Sequence, residues 1–186
     1  MIGFKKYRKN LIDVLHQDDL ENGTKKLFKE IVYTWKNKKN FFICGNGGSG
    51  ANAIHIANDF LYGAGITNKK GLKVEALTSN PAVLTCLAND VGYEHIFSEQ
   101  IKVKADNNDF LLVLSGSGNS KNIIRALQEA KKKKLRTFAI LGYDGGECKR
   151  ISQNFIHIKI NDMQICEDMQ MILLNTIMQE ISKLKI

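Results

Sequence analysis

The stretch FFICGNGGSG, residues 41–50, runs from four apolar residues directly into a glycine-rich turn. A second stretch, FLLVLSGSGNS at 110–120, repeats the pattern with serine among the glycines. Continuously apolar runs of this length are typical of strands that helices cover on both faces, as in a parallel sheet. The two stretches therefore predict two strands of an α/β protein, each followed by a turn into a helix.

Strands and helices alternate along the rest of the chain. Three further apolar runs with strand character lie at 74–77, 137–142 and 155–160. Stretches with apolar residues at helical spacing lie near 2–17, 20–37, 49–61, 81–88, 93–105, 120–134, 145–152 and 163–184. Because strands separated by helices usually pair in parallel, we predict a three-layer, doubly wound, five-stranded parallel sheet flanked by helices, with two helices before the first strand.

Length and composition indicate a single domain over residues 1–186. The hydrophobic fraction is 44%, and a chain of this length buries roughly 70% of the surface that it exposes when unfolded. No apolar run approaches the roughly 20 residues of a membrane span. The start, MIGFKKYRKNLIDVLHQDD, has charges where a signal peptide is apolar. We therefore predict a cytoplasmic protein without a membrane partner.

Charge and cysteine content argue against two other classes of protein. The 27 Lys and Arg exceed the 19 Asp and Glu by eight, but much of the excess lies in patches such as 131–134 that are typical of solvated helix faces. No nucleic-acid-binding motif accompanies them, so nucleic acid is not a predicted partner. The four cysteines lie far apart without a C-x-x-C pair, which predicts reduced core thiols rather than a zinc knuckle or a redox motif.

The two glycine-rich turns carry the chemistry that the sequence reveals. In residues 45–50, glycines let backbone N–H groups approach an anion closely, and the following helix adds its partial positive charge. In residues 115–120, serine hydroxyls supply further donors. Since both turns follow strands of a parallel sheet, they can converge at one edge of it around a small phosphate-bearing ligand.

Two other interpretations of the first turn remain open. Residues 45–50 also match G-x-G-x-x-G, the fingerprint of dinucleotide binding, which is weak evidence on its own. A tight turn without any ligand would give the same pattern. A dinucleotide site has no use for the second hydroxyl cluster, so we predict a phosphorylated small molecule as the ligand and no nucleotide cofactor.

Five segments resemble, in the same order, successive motifs of the SIS (sugar isomerase) domain and, within it, of the phosphoheptose isomerases. They are GNGGSGANAIHIANDF (45–60), LANDVGYEHIFSEQI (87–101), VLSGSGNSKNIIRAL (113–127), LGYDGGE (141–147) and ICEDMQMILLN (165–175). The resemblance implies a homotetramer with active sites between subunits. It also implies conversion of sedoheptulose 7-phosphate to D-glycero-D-manno-heptose 7-phosphate for lipopolysaccharide or capsule precursors. We expect residues 1–38 to form a helical pair used in oligomer packing, and residues 39–186 to form the sheet-and-helix core.

The resemblance also assigns the residues that bind the phosphorylated sugar. They are Asn46, Gly47, Gly48, Ser49, Asn89, Asp90, Ser115, Gly116, Ser117, Asn119, Ser120 and Asn175. Gly116 stands where the family usually has Thr, which removes one hydroxyl donor and keeps the backbone N–H.

Moving a carbonyl group along a sugar requires a base that removes a proton from the neighbouring carbon and an acid or metal that assists the enediolate. By the resemblance, the catalytic residues are His55, Asp59 and Glu167. Glu167 or Asp59 would be the base, and His55 the acid or a metal ligand. The same three residues are the candidate ligands of one zinc ion per site. A shift of one residue in the last helix would place Cys166 instead of Glu167, which suits this chemistry less well.

Asn175 leaves a second functional hypothesis open. The family usually has His at this position, and an amide neither transfers protons at neutral pH nor binds zinc well. Asn is also found there in a regulatory relative that binds the replication initiator DnaA. The alternative to an isomerase is therefore a non-catalytic SIS module that binds a phosphosugar or a protein partner, and turnover distinguishes the two.

Overall fold

The computed structural model describes residues 3–68 and 70–184. Its strands are β1 (Asn40–Gly45), β2 (Lys73–Ala76), β3 (Phe110–Ser115), β4 (Arg136–Leu141) and β5 (Asn154–His157). Its α-helices are α1 (Phe4–Leu15), α2 (Asp19–Lys36), α3 (Gly47–Asn58), α4 (Gly65–Asn68), α5 (Pro81–Asp90), α6 (Ser98–Lys104), α7 (Lys121–Lys132), α8 (Gly146–Ile151) and α9 (Met163–Lys183). No helix in this part of the chain combines the length and the apolar composition that crossing a membrane requires.

The five strands pair in parallel and follow the order β2-β1-β3-β4-β5. The predicted five-stranded parallel sheet is thereby confirmed. The winding direction reverses between β1 and β3, and ligands of doubly wound sheets bind beyond the carboxyl ends of the strands at such a point. The turns at 45–50 and 115–120 follow these two strands, so the topology brings them together.

Helices cover both faces of the sheet and complete the three predicted layers. Phe41 and Ile43 of β1 belong to the core that α2, α3 and α9 cover. Phe42 and Cys44 point to the opposite face and belong to the core beneath α6, α7 and α8. All four side chains are buried, which is why the strand has no polar face.

The two N-terminal helices differ in how deeply they pack. Leu27 and Ile31 of α2 are completely buried in the core shared with α9. On α1, by contrast, Phe4, Ile12 and Leu15 leave 67%, 46% and 46% of their surface exposed. A single chain therefore leaves apolar surface on α1 uncovered. The use of residues 1–38 in oligomer packing stays a prediction.

The last strand is shorter than its apolar run predicts. The prediction was 155–160, whereas β5 ends at His157. Beyond it, the Lys159 N–H donates to Gln17 Oε1 at 3.0 Å, and Gln17 Nε2 donates to the Lys159 carbonyl at 3.1 Å. This contact joins the segment between α1 and α2 to the open side of the edge strand. The regular ladder with β4 ends because the Ile158 carbonyl accepts from the Ile160 N–H at 2.9 Å, within its own turn.

The helix predicted at 49–61 changes its winding near its end. The α-helix α3 stops at Asn58, and a π-helical turn follows over Asp59–Gly63, in which the Ala64 N–H donates to the Asp59 carbonyl at 3.1 Å. Single π turns of this kind are frequent at functional sites.

The helix predicted at 93–105 is also interrupted. A 3-10 turn at Tyr93–His95 precedes α6. Between them, Ile96 and Phe97 are both buried in the core beneath α6 and α7, and the chain turns at these two residues to place them there.

Candidate active site

The turn after β1 leaves backbone donors of α3 open. Gly47 has φ +53°, in the left-handed region that favours glycine. Asn46 is the N-cap of α3, yet its side chain makes no capping hydrogen bond. Among the described residues, the backbone N–H groups of Gly47 and Gly48 donate to no hydrogen-bond acceptor. An open helix start with its partial positive charge is suited to binding an anion.

The turn after β3 supplies hydroxyl groups. Ser115 Oγ accepts from the Gly118 N–H at 3.0 Å, and Ser117 Oγ accepts from the Asn119 N–H at 3.2 Å. Ser120 is the N-cap of α7 and makes no side-chain capping bond. A hydroxyl that accepts a hydrogen bond still has its own proton to donate, so the three serines can each donate to a ligand.

Both turns line one cleft with a volume of about 260 Å³. The described residues that line it are Asn46, Gly47, Gly48, Ser49, Leu114, Ser115, Gly116, Ser117, Ser120, Met163 and Glu167. All but Leu114 and Met163 belong to the site predicted from the sequence. This set contains no Lys or Arg, so the donors available to a phosphate in the cleft are hydroxyls, backbone N–H groups and helix starts.

Glu167 enters the cleft from α9 and contacts the start of α3. Its Oε1 accepts a hydrogen bond from the Ser49 N–H at 3.0 Å. A Cβ on Gly48 would overlap the Glu167 Oε2, so a larger residue there would displace the carboxylate. Gln170 Nε2 donates to Ser49 Oγ at 3.0 Å. The Ser49 side chain is buried and links α3 to α9.

The last helix presents Glu167, and not its neighbour, to the cleft. The Cys166 side chain is completely buried, with Sγ 3.7 Å from the Ile160 carbonyl and packed against Gly142. The alignment that puts Glu167, and not Cys166, at the family's site position therefore agrees with the residue that lines the cleft.

The Met163 side chain packs directly against Gly116. A Cβ on Gly116 would overlap the Met163 Sδ. The methionine thioether thus fills the space that a side chain at position 116 would need. The missing threonine is visible in the sequence, but this contact is not, because it joins residues 47 positions apart in the chain.

Asn122 and Tyr93, which were not predicted as site residues, hydrogen-bond to Asn46 of the cleft lining. Asn46 Nδ2 donates to Asn122 Oδ1 at 2.9 Å, and Asn122 Nδ2 donates to Asn46 Oδ1 at 2.8 Å. The Tyr93 hydroxyl also donates to Asn46 Oδ1, at 3.1 Å. Both residues lie inside the quoted motifs at 87–101 and 113–127, and only the fold shows that they meet Asn46.

His55 and Asp59 form a pair outside the cleft lining. His55 Nε2 lies 3.4 Å from Asp59 Oδ2, with the imidazole largely exposed and the carboxylate about one-third exposed. Asp59 is the first residue of the π turn. The i, i+4 spacing thus brings the two side chains together as predicted, while in one chain they stand apart from Glu167.

The remaining predicted residues also lie outside the cleft lining. Asn89 Nδ2 donates to Asp90 Oδ1 at 2.8 Å, which lowers the pKa of the Asp90 carboxyl at the exposed end of α5. Asn119 Oδ1 accepts from the Glu147 N–H at 3.0 Å and so holds the start of α8. Asn175 is exposed on α9. Contact of these residues with substrate stays a prediction.

The predicted zinc ligands do not converge within one chain. Among the residues that the structure describes, no three His, Cys, Asp or Glu side chains are placed to share a metal ion. His55 and Asp59 could supply two ligands, but Glu167 is engaged at the start of α3. Catalytic zinc usually has three protein ligands, so one chain alone does not fit zinc, and the metal stays a prediction.

A family model described as the SIS domain matches residues 5–142 of this chain. The chain belongs to the SIS domain family. Curated relatives of this SIS domain include the phosphoheptose isomerase of Helicobacter pylori (strain ATCC 700392 / 26695), 33% identical over 85% of this chain and 82% of the relative. The phosphoheptose isomerase of Aliarcobacter butzleri is 35% identical over 87% of this chain and 85% of the relative.

Solved structures share the fold of this SIS domain. The phosphoheptose isomerase from Neisseria gonorrhoeae superposes with a TM-score of 0.87 at 24% identity, covering 97% of both chains. The phosphoheptose isomerase from Francisella tularensis superposes with a TM-score of 0.89 at 23% identity, covering 97% of this chain and 95% of that one. At these identities the likeness establishes the fold, including the doubly wound sheet and its flanking helices.

Proposed function

We propose that this SIS domain is a phosphosugar aldose–ketose isomerase that converts sedoheptulose 7-phosphate to D-glycero-D-manno-heptose 7-phosphate for surface-glycan precursors. Relatives 33% and 35% identical to it are phosphoheptose isomerases by name. The observation that carries the proposal is one cleft in which the Glu167 carboxylate faces serine hydroxyls and open helix starts. A phosphate-binding surface beside an acid–base group suits proton transfer on a sugar phosphate.

Electrostatics orient the substrate in the cleft. The phosphate dianion and the Glu167 carboxylate repel each other, so the phosphate binds at the end of the cleft farther from Glu167. That end is the turn after β3, where Ser115, Ser117 and Ser120 can donate to it. The sugar then extends toward the start of α3, and its reacting carbons approach Glu167.

Glu167 is the base in this proposal, because it is the ionisable group among the described residues that line the cleft. It removes a proton from C1 of the ketose while the C2 carbonyl oxygen gains one, which gives an enediol through an enediolate. Return of a proton to C2 and loss of the O1 proton then give the aldose. The reaction conserves atoms and electrons and needs no redox cofactor.

We assign the acid to His55, with Asp59 beside it at 3.4 Å. Because this pair lies outside the cleft lining of its own chain, it acts at a cleft completed by a second copy. Large apolar side chains next to the pair support this arrangement: Ile54, Leu61, Tyr62 and Ile66 are 45% to 70% exposed. Exposed apolar patches commonly mark association surfaces.

The assembly in this proposal is a homotetramer with sites between subunits, in which a neighbouring copy would also supply the third ligand for a zinc ion at His55 and Asp59. Sedimentation equilibrium at micromolar concentration should give four times the chain mass of 20.9 kDa. A species of one-chain mass would contradict the intersubunit site.

Turnover tests the function. Purified protein is incubated with sedoheptulose 7-phosphate and the sugar signals are followed by NMR. Appearance of the aldose supports the isomerase. Binding without conversion would support the non-catalytic SIS module instead, and neither binding nor conversion would remove the sugar phosphate from the proposal.

A further inference from the structure

Asn46 is placed to cap α3 but does not cap it. Asparagine is among the best N-cap residues, and its side chain normally accepts from the N–H two or three positions on. At this helix start those groups belong to Gly48 and Ser49. The Ser49 N–H donates to Glu167 Oε1, and within the described chain the Gly48 N–H has no acceptor. The capping side chain is therefore turned away from an available donor.

The Asn46 carboxamide is held elsewhere by two residues. Asn122, only 2% exposed on the first turn of α7, exchanges two hydrogen bonds with it at 2.9 and 2.8 Å. The Tyr93 hydroxyl adds a third at 3.1 Å. Asn46 Oδ1, the atom that would cap the helix, thus accepts from both neighbours.

A backbone hydrogen bond determines which side-chain atoms of Asn122 and Asn46 are oxygen and which are nitrogen. The Ile123 N–H donates to Asn122 Oδ1 at 2.9 Å, so the oxygen of Asn122 must be at that end of its side chain. Asn46 must then present Nδ2 to this oxygen and Oδ1 to Asn122 Nδ2. The orientation of Asn46 is therefore dictated by the first turn of a different helix.

We propose that Asn122 is a positioning residue for the isomerase reaction, which holds the Asn46 side chain off the start of α3 so that the Gly48 N–H stays free for the substrate. Tyr93 assists it. The inference rests on the proposed function for the identity of the substrate. Its structural content, a helix start kept uncapped by a residue on α7, stands independently of that identity.

Loss of Asn122 should let Asn46 return to its ordinary capping role. The Gly48 N–H would then donate to Asn46 Oδ1 and would no longer be available to an oxygen of the sugar. Substrate affinity falls in consequence, while the base at Glu167 keeps its contact with the Ser49 N–H. The expected signature is a raised KM with a smaller change in kcat.

The test begins with a measurement that needs no ligand. In Asn122→Ala, the Gly48 amide should exchange its hydrogen at least about fivefold more slowly than in the unmodified protein, because it gains a hydrogen bond. The KM for sedoheptulose 7-phosphate should rise about fivefold or more. In a double-mutant cycle, Asn122→Ala should add no further rise in KM when Asn46 is already Ala, since no side chain is left to block the donor.

Gln100→Ala is the matched control. Gln100 is also a buried amide, 4% exposed, and donates to the Leu77 and Ile96 carbonyls outside the cleft. It should lower the melting temperature without changing Gly48 exchange or KM. Tyr93→Phe removes only the hydrogen bond to Asn46 Oδ1, at an exposed position. It should change Gly48 exchange and KM in the same directions but by less, and it tests the proposal even if Asn122→Ala fails to fold.

An unchanged Gly48 exchange rate in both Asn122→Ala and Tyr93→Phe would overturn the proposal, as would an equal rise in KM with and without the Asn46 side chain. If the unmodified protein neither binds nor converts the sugar phosphate, the proposed function fails, and the exchange rate of Gly48 still decides the role of Asn122.

Discussion

Glu167 Oε1 accepts a hydrogen bond from the Ser49 backbone N–H at 3.0 Å, so the last helix places its carboxylate over the first turn of α3. A helix start favours negative charge, and the glycine at position 48 leaves room for the carboxylate. The same side chain lines the cleft that holds the serine hydroxyls. This arrangement gives the proposed base a fixed position next to the proposed substrate.

Glu167→Gln keeps the shape of the side chain and removes its ability to take a proton. If Glu167 is the base, kcat should fall by about 100-fold or more, with KM little changed. Steady-state kinetics on sedoheptulose 7-phosphate measure both. Glu180→Gln, an exposed position on the same helix, is the control and should leave kcat unchanged. Persistent activity in Glu167→Gln would transfer the role of base to Asp59.

Ser117→Ala together with Ser120→Ala tests the phosphate end of the cleft. The pair should weaken sugar-phosphate binding by about 2 kcal/mol or more, at about 1 kcal/mol for each lost hydrogen bond and more for bonds to a charged group. Isothermal titration measures the dissociation constant, and Ser182→Ala, half-buried near the end of α9 and outside the cleft lining, serves as control. An unchanged dissociation constant would place the phosphate elsewhere.

Gly116→Thr should not restore a phosphate donor in this chain by itself. The new side chain would overlap the Met163 Sδ, and overpacking of this kind costs about 1–3 kcal/mol. Both the melting temperature and substrate affinity should therefore drop. Met163→Ala in the same protein removes the overlap and should recover both. If Gly116→Thr lowers the melting temperature and the affinity equally with Met163 and with Met163→Ala, the losses do not come from overlap of the two side chains.

Thiol labelling should single out Cys86. Burial raises the pKa of Cys44 and raises that of Cys148 to about 12, and the thiolate is the reactive form. Cys86 is exposed, but its hydrogen bond to the Asp90 carboxylate raises its pKa as well. Labelling of the folded protein should be confined to Cys86 and should accelerate as pH rises toward its pKa.

Asp90→Asn checks the cause of that shift. Removing the carboxylate lowers the Cys86 pKa, so a larger fraction is thiolate at a given pH below it, and labelling at pH 7.5 should become faster. Peptide mass spectrometry identifies the labelled site. Rapid labelling of Cys44 or Cys148 in the folded protein, or slower labelling of Cys86 in the variant, would contradict the account.

The sheet could be predicted from the sequence because each strand carries its own signal. FLLVL at 110–114 is apolar throughout, and all of β3 up to Ser115 is buried. The order β2-β1-β3-β4-β5 carries no such local signal, since it depends on which faces the helices cover. The end of β5 has no local signal either, because the Ile158 carbonyl turns to the Ile160 N–H inside a run that still has strand character.

The cleft was predictable in part for the same reason. Its glycines and serines lie in two short stretches directly after strands, so their type and place are visible locally. Asn122 and Met163 were missed because each acts through one distant residue, Asn46 or Gly116. The position of the His55 and Asp59 pair outside the lining of its own cleft also needed the folded chain.

Isomerisation by this SIS domain moves a proton between neighbouring carbons of a sugar phosphate. Proton NMR of sedoheptulose 7-phosphate in D₂O with the purified protein follows that transfer. We expect the aldose to appear with deuterium at C2, because the base exchanges the abstracted proton with solvent before returning it. Unchanged ketose signals without deuterium, from a protein that titration shows to be saturated with the sugar, would contradict it.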